Sequence, residues 1–194
     1  MRLLLCTGNA GKVAELRALL PAGIELVSLA DAGISADLPE TGSTLDANAL
    51  QKARYAFGIA GMHCLADDTG LEVDALNGDP GVRSARYAGE AKDAHANMQL
   101  LLHELAGKAD RTARFRTVIA LVGSDGEQVF EGTVEGHIIT APRGSGGFGY
   151  DPLFVPVGEE RTFAEMGIAE KNSMSHRARA MHKAVAYLKG TIGS

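Results

Sequence analysis

The chain has 194 residues, 45% of them hydrophobic and 22% charged, with a formal net charge of −5. That length can bury a good core without disulfides or metals, and the acidic balance argues against a nucleic-acid polymer as partner, which calls for a basic face. Cys6 and Cys64 match no CxxC or zinc spacing, and no apolar run is long enough for a signal-peptide core or a membrane span, so buried free thiols in a cytoplasmic setting are expected.

In chain order, RLLLC (2–6) reads as a buried strand and TGNAGK (7–12) as the turn after it. Val13, Leu16, Leu19 and Leu20 then fall on one side of a helix, which Pro21 and Gly23 stop. IELVSL (24–29) is a second strand, and this strand–turn–helix–strand order favours an α/β layer. Residues 31–43 read as loop. A long helix is expected from about Thr44 to Ala60, with Leu45, Ala49, Ala53, Ala56 and Ala60 on one face.

HCLADDTGLEV (63–73) is expected as a strand that breaks at its two aspartates and glycine, and NGDPGVRSARYAG (77–89) as irregular chain. Residues 91–106 have the pattern of an amphipathic helix. RFRTVIALVG and EQVFEGTVEGHIIT read as paired strands about the SDG turn, and a last helix is expected from about Ser175 to Lys189. Without repeats, low-complexity tracts or linkers, residues 1–194 form one expected domain with two lobes.

Four segments carry chemistry. TGNAGK puts backbone N–H groups at a helix N-terminus, where anions bind, and adds the side chains of Thr7, Asn9 and Lys12. Its spacing is neither a Walker A loop nor GxGxxG, so a plain capped turn fits it equally well. In ADDTG, Asp67 and Asp68 repel one another unless a cation or good donors compensate. Mg²⁺ suits such a place, held by one or two carboxylates plus substrate phosphate, with Glu40 of PETGS as second carboxylate. A solvated turn is the plain alternative.

In EKNSMSHRARA, Lys171 precedes a helix whose first turn holds His176 and Arg177, where the helix dipole disfavours cations unless an anion or an acceptor-rich ligand sits there. Arg179 and Lys183 read as a basic surface patch. In GSGGFGYDPL, Phe148 and Tyr150 stand among glycines, whose ordering is entropically costly. A flat ligand stacking on Phe148 offsets that cost, whereas Tyr150 reads at least as well as a plug in the core edge. Together these are the parts of a nucleoside triphosphate site.

At these residues the chain resembles the inosine triphosphate pyrophosphatase family, also called XTP/dITP diphosphatase. The matching stretches are TGNAGKVAEL, PETGSTLDANALQKA, ADDTGLEVDAL, GVRSARYAG, GSGGFGYDPLF and EKNSMSHRARA, in order along nearly the whole chain. The resemblance implies an α/β fold with an elongated mixed sheet flanked by helices, two lobes, a central active-site cleft and a homodimer. It also implies Mg²⁺-dependent hydrolysis of ITP, dITP and XTP to the monophosphate and pyrophosphate.

By that likeness Thr7, Gly8, Asn9, Ala10, Gly11 and Lys12 hold the triphosphate, with help from Lys52. Asp68 is the catalytic carboxylate and a metal ligand, with Glu40 and Asp67 supporting it, and Thr69 touches substrate. Phe148, Gly149, Tyr150 and Asp151 form the base-side wall, over which Lys171, His176 and Arg177 close. Two other readings remain: a pyrophosphatase acting on modified pyrimidine nucleotides, and a nucleotide-binding regulator without turnover. Intact DDTG with Lys12 and Lys52 speaks against the regulator.

Overall fold

The computed structural model describes residues 1–35 and 37–192. Ala36, within the segment expected as loop, and residues 193–194, at the end of the expected domain, lie outside the described residues. The strands are β1 (Arg2–Leu5), β2 (Glu25–Ser28), β3 (Cys64–Val73), β4 (Pro80–Gly81), β5 (Thr112–Gly123), β6 (Gly126–Ile138) and β7 (Phe154–Pro156). The helices are α1 (Ala10–Leu19), α2 (Leu45–Ala60), α3 (Ala94–Glu104), α4 (Ile168–Met174) and α5 (His176–Ile192). The strands pair in the order β2-β1-β3-β5-β6-β7, with β4 on β3. The sheet is mixed and flanked by helices, and the fold is α/β.

The chain divides into two compact units, residues 1–68, 117–132 and the α5 segment in the first, and residues 69–116 and 133–175 in the second. In the first unit β1 runs parallel to both β2 and β3, with Leu4 opposite Val27 and Cys64. A parallel strand is covered on both faces, which is why LLLC is apolar without alternation. Leu3, Leu5, Leu65, Ile119 and Leu121 pack with Leu16 of α1 and Ala180, Met181, Ala184 and Leu188 of α5. Those α5 residues recur at helical spacing and form its buried stripe. Gly132 lets β6 lie against α5, because a Cβ there would stand 2.1 Å from the His176 carbonyl oxygen and 2.5 Å from the Ala180 nitrogen.

The second unit has its own core of Leu71, Val73, Leu101, Leu105, Phe115, Ile138, Tyr150, Phe154 and Phe163. Phe154 lies at its centre, with ring centroids 4.7 Å from Phe115 and 5.3 Å from Phe163, within the range of favourable tilted aromatic pairs.

Helix ends follow local chemistry. Thr44 caps α2 by accepting the Ala47 N–H at 3.1 Å, and Gly61 ends it at φ +62°. One expectation is corrected. The DDTG segment does not break β3, which runs unbroken from Cys64 to Val73 with both aspartates buried. Ion pairs offset the charges that suggested a break, and at Gly70 the chain passes so near that a Cβ would lie 2.6 Å from the Gly81 carbonyl oxygen. In addition, Ile168–Met174 forms a separate helix ahead of α5. Seven residues without an apolar stripe give no periodicity to find.

Candidate active site

The turn between β1 and α1 is capped from within. Asn9 Oδ1 accepts the Lys12 N–H at 3.1 Å, and Thr7 Oγ1 accepts the Asn9 N–H at 3.2 Å. Gly8, Asn9 and Ala10 are exposed, and Lys12 is half-buried one turn into the helix. Its ammonium reaches Asp67 Oδ2 at 3.0 Å.

Asp67 and Asp68 are neighbours on β3, so their side chains leave opposite faces. Asp67 shares its face with Leu65, the face covered by α1 and α5. There Asp67 Oδ2 also accepts from Arg177 Nε at 3.1 Å, and Arg177 Nη1 donates to Glu15 of α1. Arg177 is 1% exposed. The relief for a cation at this helix start therefore comes from two carboxylates of the protein itself.

Asp68 faces α2. Lys52 Nζ lies 3.3 Å from Asp68 Oδ1 and 2.6 Å from Glu40 Oε1, and it donates to the Asp67 carbonyl at 2.8 Å. Burial disfavours ionisation of both aspartates, yet the outcomes differ. For Asp67, Lys12, Arg177 and Lys52 outweigh burial and hold the carboxyl well below the usual range. For Asp68, burial prevails over Lys52 and Lys12 and pushes the carboxyl up. On Lys12 burial also dominates, and its pKa is lowered. On Lys52, burial is outweighed by Asp68, Glu40 and Asp67, and the pKa is raised.

The donor set fits Mg²⁺. Three cations, Lys12, Lys52 and Arg177, meet four carboxylates, Glu15, Glu40, Asp67 and Asp68. Glu40 and Asp68 contact the same ammonium nitrogen, so both carboxylates gather at one point of charge. Among the described residues no group of three or more His, Cys, Asp or Glu could hold a metal alone. Mg²⁺ needs no such cage, since it commonly takes one or two carboxylates and completes its shell with water and phosphate.

The Glu40 loop is fastened to α2 by neighbours on one helix face. Gln51 Oε1 accepts the Thr41 N–H at 2.9 Å, and Gln51 Nε2 donates to Thr41 Oγ1 at 2.9 Å. Asn48 Oδ1 accepts the Gly42 N–H at 2.7 Å, while its Nδ2 donates to Asp68 Oδ2 at 3.2 Å.

The second unit gathers Phe148, Asp151 and Lys171. Lys171 Nζ lies 2.6 Å from Asp151 Oδ2, and the same oxygen accepts the Phe148 N–H at 2.8 Å. The ammonium also stands 5.1 Å from the Phe148 ring centroid and 5.3 Å from that of Phe163, at cation–π distance. Gly147, at φ +67°, leaves room for Asp151, whose Oδ2 would lie 2.1 Å from a Cβ there. Tyr150 is buried in the core, and its hydroxyl donates to the Ser84 carbonyl at 2.9 Å.

Of the residues expected from sequence, Thr7 to Lys12, Glu40, Lys52, Asp67, Asp68, His176 and Arg177 belong to the first unit. Thr69, Phe148, Gly149, Tyr150, Asp151 and Lys171 belong to the second. Within the first, Lys12, Asp67 and Arg177 meet directly, as do Glu40, Lys52 and Asp68; His176 is buried at the head of α5. Sequence reasoning missed Glu15, Asn48 and Gln51. Helical spacing held the signal, since Glu15 lies three residues after Lys12 and Asn48 four before Lys52, so each shares a helix face with a lysine of the site.

The model of the Ham1 family matches residues 3–187. The dITP/XTP pyrophosphatase of Christiangramia forsetii is 48% identical over 97% of this chain and 99% of that protein. The dITP/XTP pyrophosphatase of Porphyromonas gingivalis is 50% identical over 93% of each chain. The solved structure of the Staphylococcus aureus Ham1 protein superposes with a TM-score of 0.89 at 38% identity, covering 98% of this chain and 100% of that one.

Proposed function

The chain belongs to the Ham1 family, and on that premise we propose that it hydrolyses non-standard purine nucleoside triphosphates (ITP, dITP and XTP) to the monophosphate and pyrophosphate. The activity removes deaminated purines from the nucleotide pool. The observation that carries this reading is the pair of adjacent buried aspartates, with Lys12 on Asp67 and Lys52 on Asp68. Relatives named dITP/XTP pyrophosphatase support it over almost the entire chain.

Glu40 and Asp68 would hold Mg²⁺, which when bound supplies positive charge to the phosphate oxygens. Asp68 also acts on the attacking water. The water loses a proton as it attacks the α-phosphorus, and a carboxylate beside it accepts that proton. Lys12, Lys52 and the backbone N–H groups of Gly8, Ala10 and Gly11 stabilise negative charge on the departing pyrophosphate. Asp67 keeps Lys12 and Arg177 in place as a fixed anion.

Base recognition is assigned to Phe148, Gly149, Asp151 and Lys171 of the second unit, while Thr69 touches substrate. Hypoxanthine and xanthine present an acceptor at O6, where adenine presents an amino donor. Donor groups in the site therefore favour the former, and a wrong base leaves buried donors unpaired, which discriminates by about 10⁴-fold or more. A homodimer and a cytoplasmic setting belong to the same proposal. Among the described residues, no helix is long and apolar enough to cross a membrane.

Incubation with ITP, XTP, GTP, ATP and a pyrimidine triphosphate, with and without Mg²⁺, tests the reading. The expected outcome is pyrophosphate and monophosphate from ITP and XTP in the presence of Mg²⁺ alone. Orthophosphate as the product, or equal rates on ATP, would refute it, and tight binding of ITP without hydrolysis would favour a regulator.

A further inference from the structure

We propose that Asn48 is a positioning residue that locks the Glu40 loop and the Asp68 carboxylate into one fixed arrangement. This inference rests on the reading above, in which Glu40 and Asp68 hold the divalent cation. Asn48 lies on α2 one turn before Lys52 and is 3% exposed. Its amide has one donating and one accepting end, and each is committed to a different part of the site.

Chemistry fixes the orientation of that amide. The Gly42 N–H can only donate, so the atom 2.7 Å from it is the amide oxygen. The carboxylate of Asp68 can only accept when ionised, so the atom 3.2 Å from its Oδ2 is the amide nitrogen. A flipped amide would set acceptor against acceptor and donor against donor. One side chain thus links the backbone two residues beyond Glu40 to Oδ2 of Asp68.

The consequence falls on the other oxygen. With Oδ2 held by Asn48, Asp68 presents Oδ1 toward Lys52, and Lys52 also holds Glu40. Without Asn48 the carboxylate can turn about its last torsion, which is soft, and its two oxygens become interchangeable. The Glu40 loop would then keep its Gln51–Thr41 fastening and the Lys52 pair but lose its tie to Asp68. Gly42 gives an independent handle. A Cβ there would lie 2.9 Å from Asn48 Oδ1 and 2.7 Å from Ala47 Cβ, so alanine at this position pushes the amide off its seat.

Groups that orient metal-holding side chains typically contribute about 10–100-fold in metal affinity or activity. The test uses Mn²⁺ binding to the substrate-free protein, read from the EPR signal of the free ion, together with ITP kinetics and thermal unfolding. Asn48→Ala and Gly42→Ala are compared with wild type and with Asp68→Asn. The expected result is Mn²⁺ affinity and kcat lowered by about 10-fold or more in Asn48→Ala, with KM for ITP nearly unchanged. Gly42→Ala should shift the same way, and both variants should still unfold cooperatively. A purely structural asparagine would lower the unfolding temperature and leave Mn²⁺ affinity of the folded protein alone. If Asp68→Asn loses both properties while Asn48→Ala keeps them, the positioning role is wrong. If Asp68→Asn itself retains Mn²⁺ affinity and turnover, the underlying assignment of Asp68 fails instead.

Discussion

Asp67 and Asp68 share a strand, a residue type and burial, yet their partners give them opposite properties. Asp67 sits among Lys12 and Arg177 as a permanent anion, whereas Asp68, less compensated, has its carboxyl pushed up. The difference has a consequence for stability. Because the folded-state pKa of Asp67 is depressed, its ionised form contributes fully above the ordinary carboxylate range and fades as pH falls through the folded value. Asp67→Asn leaves the buried Arg177 and the half-buried Lys12 each short of a partner and should destabilise the protein by about 3–5 kcal/mol near neutral pH. Chemical unfolding from pH 7 down to pH 3 should show the gap between wild type and variant narrowing. A gap that stays constant would mean that Asp67 is not ionised in the folded chain. The carboxylate pair itself was legible in the sequence, because doubled acids after an apolar run demand compensation. Its partners were less so: Glu15 comes from α1 and Arg177 from α5, and no local pattern announces a pairing over 162 positions.

At the scale of elements, glycine decides how closely β6 and α5 approach in the first unit. Gly132→Ala would drive a methyl group into the backbone at His176 and Ala180 and should lower stability by about 1–3 kcal/mol, read as a lower urea midpoint. An unchanged midpoint would contradict the packing of β6 on α5. Sequence periodicity found α1, α2, α3, α5 and the long strands, because each carries an apolar stripe or alternation of the right period. It failed where tertiary contacts override the local signal. The strand β3 continues through DDTG because Lys12, Lys52 and Arg177 offset the charges, and α4 is too short to show a period. The aromatic loop shows both outcomes in three residues. Tyr150 is bonded into the core through Ser84, while Phe148 stays half-buried beside Lys171.

For the molecule as a whole, chemistry is divided along the chain. The first unit holds the carboxylates and cations suited to a metal and a triphosphate, and the second holds an ammonium, a carboxylate and an aromatic ring suited to a base. Each unit is assembled from separated stretches, so no single motif specifies the function. Six quoted stretches along the chain do, which is why the family was recognisable from sequence while the hydrogen-bond partners were not. The division of labour has a direct test in the ratio of kcat/KM for ITP to that for ATP, in wild type, Lys52→Ala and Lys171→Ala. Lys52→Ala should slow both substrates by a similar factor and leave the ratio within about 3-fold, whereas Lys171→Ala should collapse it by about 10-fold or more. An unchanged ratio in Lys171→Ala, or a collapsed one in Lys52→Ala, would contradict the assignment of phosphate chemistry to one unit and base reading to the other.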